Sequence, residues 1–240
     1  MIAIIDGDVL IYMSIWGAET KEEARQKFDE LFTGILENLF TKDYVMALGG
    51  PDNFRVDLYS EYKANRAKSK STRPDWFLDL KSDIEKDYDG CIFTDNCEAD
   101  DMIRIWSTEC KENNIDFIVV SVDKDLDCIA GKHYNPRNSQ VYNVTEEEGD
   151  LLYWKQVLMG DATDNIPGLQ GIGPKKAELI LSGCKDHEER RDAVCKAYHA
   201  RYKDEGYEYL LANGRLIHIW RKLNDHFKIK REVYNDAIQE

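Results

Sequence analysis

The stretch "DFIVVSVDKD", residues 116–125, decides the fold class. Its first seven residues are mostly apolar and β-branched, without the alternation of a half-solvated strand, which suits a parallel strand buried on both faces. Asp123 and Asp125 follow at once. Two apart, they point the same way if the backbone stays extended. Parallel sheets bind ligands beyond the carboxyl ends of their strands, so these acids stand where chemistry is expected.

Working outward, "IAII" (2–5) reads as a second buried strand that ends at Asp6, and "DYVMAL", "GCIFT" (90–94) and "QVYNV" read as further strands. Helix patterns lie between them: 21–41, a segment started by Thr72-Arg73-Pro74, and one opened by Glu98 and running to about Lys111. Proline is preorganised for the first helical position. Thr145 with Glu148 forms a capping box for the next helix. Beyond Leu151 strand signals vanish and helical patterns run at 151–159, 174–182, 186–203 and 207–223. The expected architecture is α/β, a mainly parallel central sheet flanked by helices (residues 1–150), followed by a helical lobe (151–240).

A length of 240 residues, 42% hydrophobic and 11% aromatic, describes a folded domain and not a disordered chain. No apolar run is long enough for a membrane span, and "MIAIIDGDVL" lacks a basic leader region, so a cytoplasmic location (bacterial or phage-infected host) is expected. The six cysteines contain no CxxC pair and read as free thiols. A net charge of −14 excludes a generally basic nucleic-acid binder. Between Tyr62 and Pro74, however, "YKANRAKSKSTRP" carries five basic residues and no acid. Any polyanion must bind through such local patches.

Carboxylates gather after the expected strands: Asp6; Glu98, Asp100 and Asp101; Asp123 and Asp125; and, three apart, Asp161 and Asp164, which a helical turn would place on one face. Acids at helix starts are ordinary taken singly. Eight converging on one sheet edge would repel one another unless cations lie among them. Oxygen donors without His or Cys select two Mg²⁺ or Mn²⁺, a pair suited to phosphodiester hydrolysis. "GLQGIGPKKA" (168–177) supplies glycines that let a backbone approach closely, a helix start with free N–H groups, and Lys175 and Lys176.

Together "IIDGDVLIY" (4–12), "EYKANR" (61–66), "CEADDM" (97–102), "VSVDKDLD" (120–127) and "GDATDNIPGLQGIGPKKA" (160–177) resemble, in order, the structure-specific 5′-nucleases, the flap endonucleases and 5′→3′ exonucleases of phages and bacteria. The compact phage-type members are the most similar in length. The resemblance implies a PIN-like nuclease core and metal-dependent hydrolysis near 5′ ends of duplex or flap DNA in replication and repair. It divides the acids into one metal site of Asp6, Glu98, Asp100 and Asp101 and another of Asp123, Asp125, Asp161 and Asp164. It places Lys63 and Arg66 on the scissile phosphate at the base of a short arch (about 62–88), with Lys68 and Lys70 on the DNA. Tyr12 would stack on a terminal base. It makes 160–182 a helix-three-turn-helix in which Gly168, Gly171, Gly173, Lys175 and Lys176 grip duplex backbone, with K⁺ in the Gly171–Gly173 turn. A monomer is expected, with replication proteins as candidate partners, and whether RNA–DNA hybrids are accepted as well as DNA stays open.

One departure stands out. Family members carry a metal-bound aspartate after the second strand, where this chain reads "ALGGPDNFR" and Asp52 is the nearest acid. Two other readings fit parts of the chain. A haloacid-dehalogenase-type phosphohydrolase fits "IIDGDV" and "FIVVS" but needs a strand before "GDATD" and leaves "EADD" and "YKANR" unexplained. A catalytically impaired nucleic-acid-binding module of the same fold is favoured only by the missing aspartate.

Overall fold

The computed structural model describes residues 1–68 and 73–239, the side chains of residues 67 and 68 excepted. Lys70 and the side chain of Lys68 lie outside the described residues. In chain order the elements are β1 (Ile2–Asp6), α1 (Gly7–Ile15), α2 (Lys21–Asn38), β2 (Tyr44–Leu48), α3 (Phe54–Leu58), α4 (Ala64–Lys68), α5 (Phe77–Asp87), β3 (Cys91–Phe93), α6 (Ala99–Glu112), β4 (Phe117–Val120), β5 (Gly131–Asn135), β6 (Gln140–Val144), α7 (Glu146–Met159), α8 (Pro174–Leu181), α9 (His187–Tyr202), α10 (Gly206–Ile217) and α11 (Arg231–Gln239). Two compact units are formed: Met1–Phe54, Thr72–Val144 and Ile219–Leu223 make one, and Arg55–Ser71, Thr145–His218 and Asn224–Glu240 the other. Sheet gives way to helices at Val144, but segment 55–71 groups with the helices and 219–223 with the sheet.

In the first unit the strands lie in the order β3-β2-β1-β4-β5-β6, parallel except for the β5–β6 hairpin pair. The run 117–120 is fully buried between β1 and β5, as its composition demands. Chain order reverses between β1 and β4, the switch point at which such sheets open a crevice. On one face Ala3, Ile5, Leu10, Phe28, Met46, Leu80 and Val120 pack into a single core.

The second unit is helical around Trp154, Val157, Leu158, Tyr198 and Leu210. Thr145 and Glu148 form the expected capping box at the start of α7. Two expectations need correction, and one strand is absent from the sequence reading. The helix expected from Thr72 begins at Phe77, after a turn in which Phe77 N donates to Pro74 O. The strand "QVYNV" has a partner, β5, that the mixed polar sequence "GKHYN" concealed. The pattern 207–223 stops being helical at Ile217. Buried Arg55 donates to the carbonyls of Leu216 and His218, taking the oxygens that would have continued the helix.

Candidate metal centre and nucleic-acid turn

Asp6 ends β1 at the switch point and is buried. It also caps α1, accepting from Val9 N at 3.2 Å, while its other oxygen accepts from Ser121 Oγ at 2.8 Å. Ser121 directly follows β4, so this hydrogen bond spans the switch point. Burial first, then the neighbouring charges of Asp8 and Asp123, push the Asp6 carboxyl up to about 7. A carboxylate desolvated beside two others calls for a cation.

Asp123 is exposed and Asp125 half-buried. The extended backbone expected for this pair is replaced by a turn: Asp123 caps a short 3₁₀ helix, Lys124–Cys128, and its Oδ1 accepts from Asp125 N at 2.9 Å. Asp123 N in turn donates to Ser121 Oγ at 2.9 Å, so one hydroxyl ties the β1 and β4 acids together. Sequence inspection passed over Ser121; its position one residue past a central strand was the available signal.

Glu98 and Asp100 are half-buried at the start of α6. Asp101 differs: it is 0% exposed, and its carboxylate accepts from Glu98 N at 3.0 Å, closing a capping box, and from Trp220 N at 2.9 Å. Trp220 stacks on Phe54 and lies with Cys97 and Ile105 in a small apolar cluster. Asp101 therefore also anchors segment 219–223 to the sheet unit. Asp101→Ala should remove both charge-assisted hydrogen bonds and cost about 2–3 kcal/mol, a fall of roughly 5–10 °C in Tm readable by calorimetry. Asp52 is exposed, just before α3.

Among the described residues no three His, Cys, Asp or Glu side chains already converge as a metal cage. The donor set at the switch point is nonetheless carboxylate oxygen, the chemistry of Mg²⁺ and Mn²⁺. Its crowding around Asp6 fits a divalent ion. Tyr12 is exposed on α1, its ring 5.4 Å from Phe77, with the Arg73 guanidinium 5.3 Å from one ring and 5.0 Å from the other.

In the helical unit "EYKANR" and "GDATDN" are packed on each other, a pairing invisible in sequence. Lys63 Nζ lies 3.4 Å from Asp164 Oδ2, Arg66 pairs with Asp164 Oδ1, and Tyr62 Oη donates to Asp164 Oδ2 at 3.1 Å. Backbone contacts match: Lys63 N donates to Asp164 O, Asn65 to Ala162 O and Asn165 to Glu61 O. Lys63 takes a left-handed backbone, φ +56°, sparsely populated by residues with side chains and often found at working sites. Asp161 and Asp164 are not on a helical turn. Asp161 accepts from Thr163 N at 2.7 Å, and reciprocal Asp161–Ile166 backbone bonds close a tight loop.

That loop continues into the glycine turn before α8. Gly168 N donates to Asn213 Oδ1 at 3.1 Å, Gln170 N to Tyr202 Oη at 3.4 Å, and Arg201 bonds the Gln170 side chain. Helices α9 and α10, mute as sequence, thus brace the turn. Gly168 is buried, whereas Gly171 and Gly173 are exposed with open space where a side chain would stand. Lys175 and Lys176 are exposed, and Lys176 Nζ reaches Gly171 O at 2.9 Å.

Residues 1–153 match the family model described as the 5′-3′ exonuclease, N-terminal resolvase-like domain. The chain belongs to the 5′-3′ exonuclease family. It is 32% identical over 207 residues to a 5′-3′ exonuclease of Mycoplasma pneumoniae, covering 74% of this chain and 70% of that one. It is 27% identical over 199 residues to flap endonuclease Xni of Pseudoalteromonas translucida, covering 78% and 77%. Against DNA polymerase I of Rhizobium leguminosarum it is 32% identical over 137 residues, 53% of this chain but only 14% of the polymerase. The fold is that of the bacteriophage T5 D15 protein co-crystallised with metal ions, at TM-score 0.74 and 17% identity over 99% of this chain and 97% of that one. Membership of the exonuclease family sets aside the dehalogenase-type alternative, and helix α7 fills the position where that alternative needs a strand. Among the described residues no helix is long and apolar enough to cross a membrane.

Proposed function

We propose that this exonuclease-family chain is a divalent-metal-dependent 5′-nuclease acting on DNA at 5′ ends, flaps or nicks. The observation that carries this is Asp6: buried at the switch point, tied through Ser121 to the acids after β4, and crowded by like charge. Within the sheet unit Asp6, Glu98, Asp100, Asp101, Asp123 and Asp125 would hold Mg²⁺ or Mn²⁺, and Asp161 and Asp164 are the carboxylates of the helical unit that could ligate a cation. Bound ions supply Lewis acidity and an activated water for phosphodiester hydrolysis. Ser121 fixes the Asp6 carboxylate, so little reorganisation is needed when charge changes. Lys63 and Arg66, paired with Asp164 in the protein alone, would exchange that carboxylate for the phosphate oxygens of the substrate. Digestion of 5′-labelled duplex with Mn²⁺ and then excess EDTA tests this: cleavage in the first and none in the second is expected.

Two solved relatives in fold support DNA as the polymer: a T5 D15 flap endonuclease variant complexed with DNA and metal ions, and the catalytic core of Rad2 with a DNA substrate, at TM-scores 0.74 and 0.51. We assign the turn between α7 and α8 as a helix-three-turn-helix that receives duplex backbone, since Gly171 and Gly173 leave their surroundings open, no side chain caps the start of α8, and Lys175 and Lys176 stand exposed there. Lys175→Ala with Lys176→Ala should weaken duplex binding and reduce the salt slope by roughly 2, measured by fluorescence anisotropy between low and moderate salt. The Gly171–Gly173 turn would hold the K⁺ ion, and the Lys176 ammonium faces Gly171 O within it. Tyr12, backed by Phe77 and Arg73, offers a face for a terminal base. RNA–DNA hybrids, replication partners, a monomeric state and cytoplasmic location complete the proposal.

A further inference from the structure

The end of β2 carries no acidic side chain: Leu48 is followed by Gly49 and Gly50. A carboxylate is nevertheless present there, delivered by α1. Asp8 Oδ2 accepts from Gly49 N at 2.9 Å. A Cβ built on Gly49 would stand 2.8 Å from that same oxygen, with no other atom nearer than Lys81 Nζ at 3.9 Å. Positions 8 and 49 therefore compete for one volume, and only one of them can place an acid in it. Lys81 of α5 completes the arrangement. Only 8% exposed, it holds its ammonium 2.5 Å from Asp8 Oδ1, donates to Gly49 O at 2.7 Å and lies 5.6 Å from the Phe93 ring. A lysine buried to this degree requires a paired acid, so the Asp8 charge is a fixed element and not a solvated helix-start residue.

We propose that Asp8 supplies from α1 the carboxylate that the end of β2 lacks, as a positioning residue of the metal-binding edge, with Lys81 as its built-in counter-charge. The buried Lys81 ammonium already supplies a cation to Asp8, so Asp8 acts beside the ions and not as an inner ligand. It stands two residues from Asp6 and holds the Gly49 backbone at the end of β2. Asp52, exposed beyond Pro51, is not needed for this role. The assignment rests on the metal-dependent reading above.

The test is calorimetric titration of the full chain with Mn²⁺, without DNA, comparing wild type, Asp8→Asn, Asp8→Ala and the swap Asp8→Ala/Gly49→Asp. Loss of an outer partner typically costs 10–100-fold in metal affinity, so Asp8→Asn and Asp8→Ala should bind about tenfold more weakly or worse. The swap should recover to within about threefold of wild type, because truncating residue 8 vacates the space that an aspartate at 49 needs; a merely structural role for Asp8 gives no such recovery. Gly49→Asp alone should lower the melting temperature by crowding Asp8, and the swap should restore it. Wild-type affinity in Asp8→Asn, or a swap no better than Asp8→Ala, would overturn the assignment while leaving the metal reading intact. A wild-type protein that binds no Mn²⁺ would overturn both.

Discussion

Asp6→Asn is expected to lower DNA cleavage at least a hundredfold while leaving duplex affinity within about threefold of wild type. Removal of one preorganised group that meets reaction charge costs about 10²–10³ in rate, and Asp6 is the most central acid of the sheet edge. The amide keeps the fold. Its oxygen can still accept from Val9 N, and its NH₂ can donate to Ser121 Oγ, which now donates to Asp6 and accepts from Asp123 N. What disappears is a buried negative charge set against Asp8 and Asp123. In EDTA the variant should therefore melt at or above the wild-type temperature, because the charge it loses destabilises the metal-free fold. Added Mn²⁺ should raise the melting temperature of wild type more than that of Asp6→Asn. Calorimetric scans with and without Mn²⁺, alongside initial cleavage rates, check all three outcomes. Near-normal cleavage would remove Asp6 from the machinery.

The second large effect concerns stability, and it separates glycines that look alike in sequence. Gly160 and Gly168 both take left-handed backbone, φ +70° and +61°, and lie against each other. A Cβ on Gly160 would stand 2.5 Å from Gly168 N and 2.7 Å from Pro167 C, and one on Gly168 would strike Gly160 N and the carbonyl of Met159. These are backbone atoms of a loop also held by Asp161–Ile166 and Asn213 bonds, so nothing can yield cheaply. Overpacking costs about 1–3 kcal/mol and a side chain in this backbone region about 1 more. Gly168→Ala should thus lose about 3 kcal/mol, or roughly 6–12 °C in Tm for a chain of this size. Gly173→Ala meets open space and should change Tm by little more than a degree, yet weaken duplex binding by standing between the backbone and a phosphate. Melting curves and anisotropy on the two variants should give opposite rankings.

Much of this was legible in the residues. The apolar run 116–122 and "IAII" located the two strands that flank the switch point, and acids at strand ends marked the edge at which Asp6 and Asp123 meet. The capping box at the start of α7 was legible because it is local, set by residues three apart. Long-range ties were not. Nothing in "EYKANR" announces that Lys63 and Arg66 lie on Asp164, and nothing in α10 announces that Asn213 holds Gly168. Asp101 and Asp100 are neighbours of one type, but only burial shows that Asp101 holds Trp220. The 123–125 turn was misjudged because the strand ends at Val120, where Ser121 and Asp123 begin to bond locally. For the acid missing after β2 the sequence offered only Asp52; that the Asp8 carboxylate lies against Gly49 shows only in the structure.

The most direct measurement of the central claim is digestion of 5′-labelled flap, nicked and blunt duplexes by the full chain with Mg²⁺, Mn²⁺ or EDTA, products resolved by length. The expected result is short labelled products from the 5′ end with either metal, none with EDTA, and none from Asp6→Asn. Cleavage that persists in EDTA, or intact DNA under every metal condition, would contradict a metal-dependent 5′-nuclease.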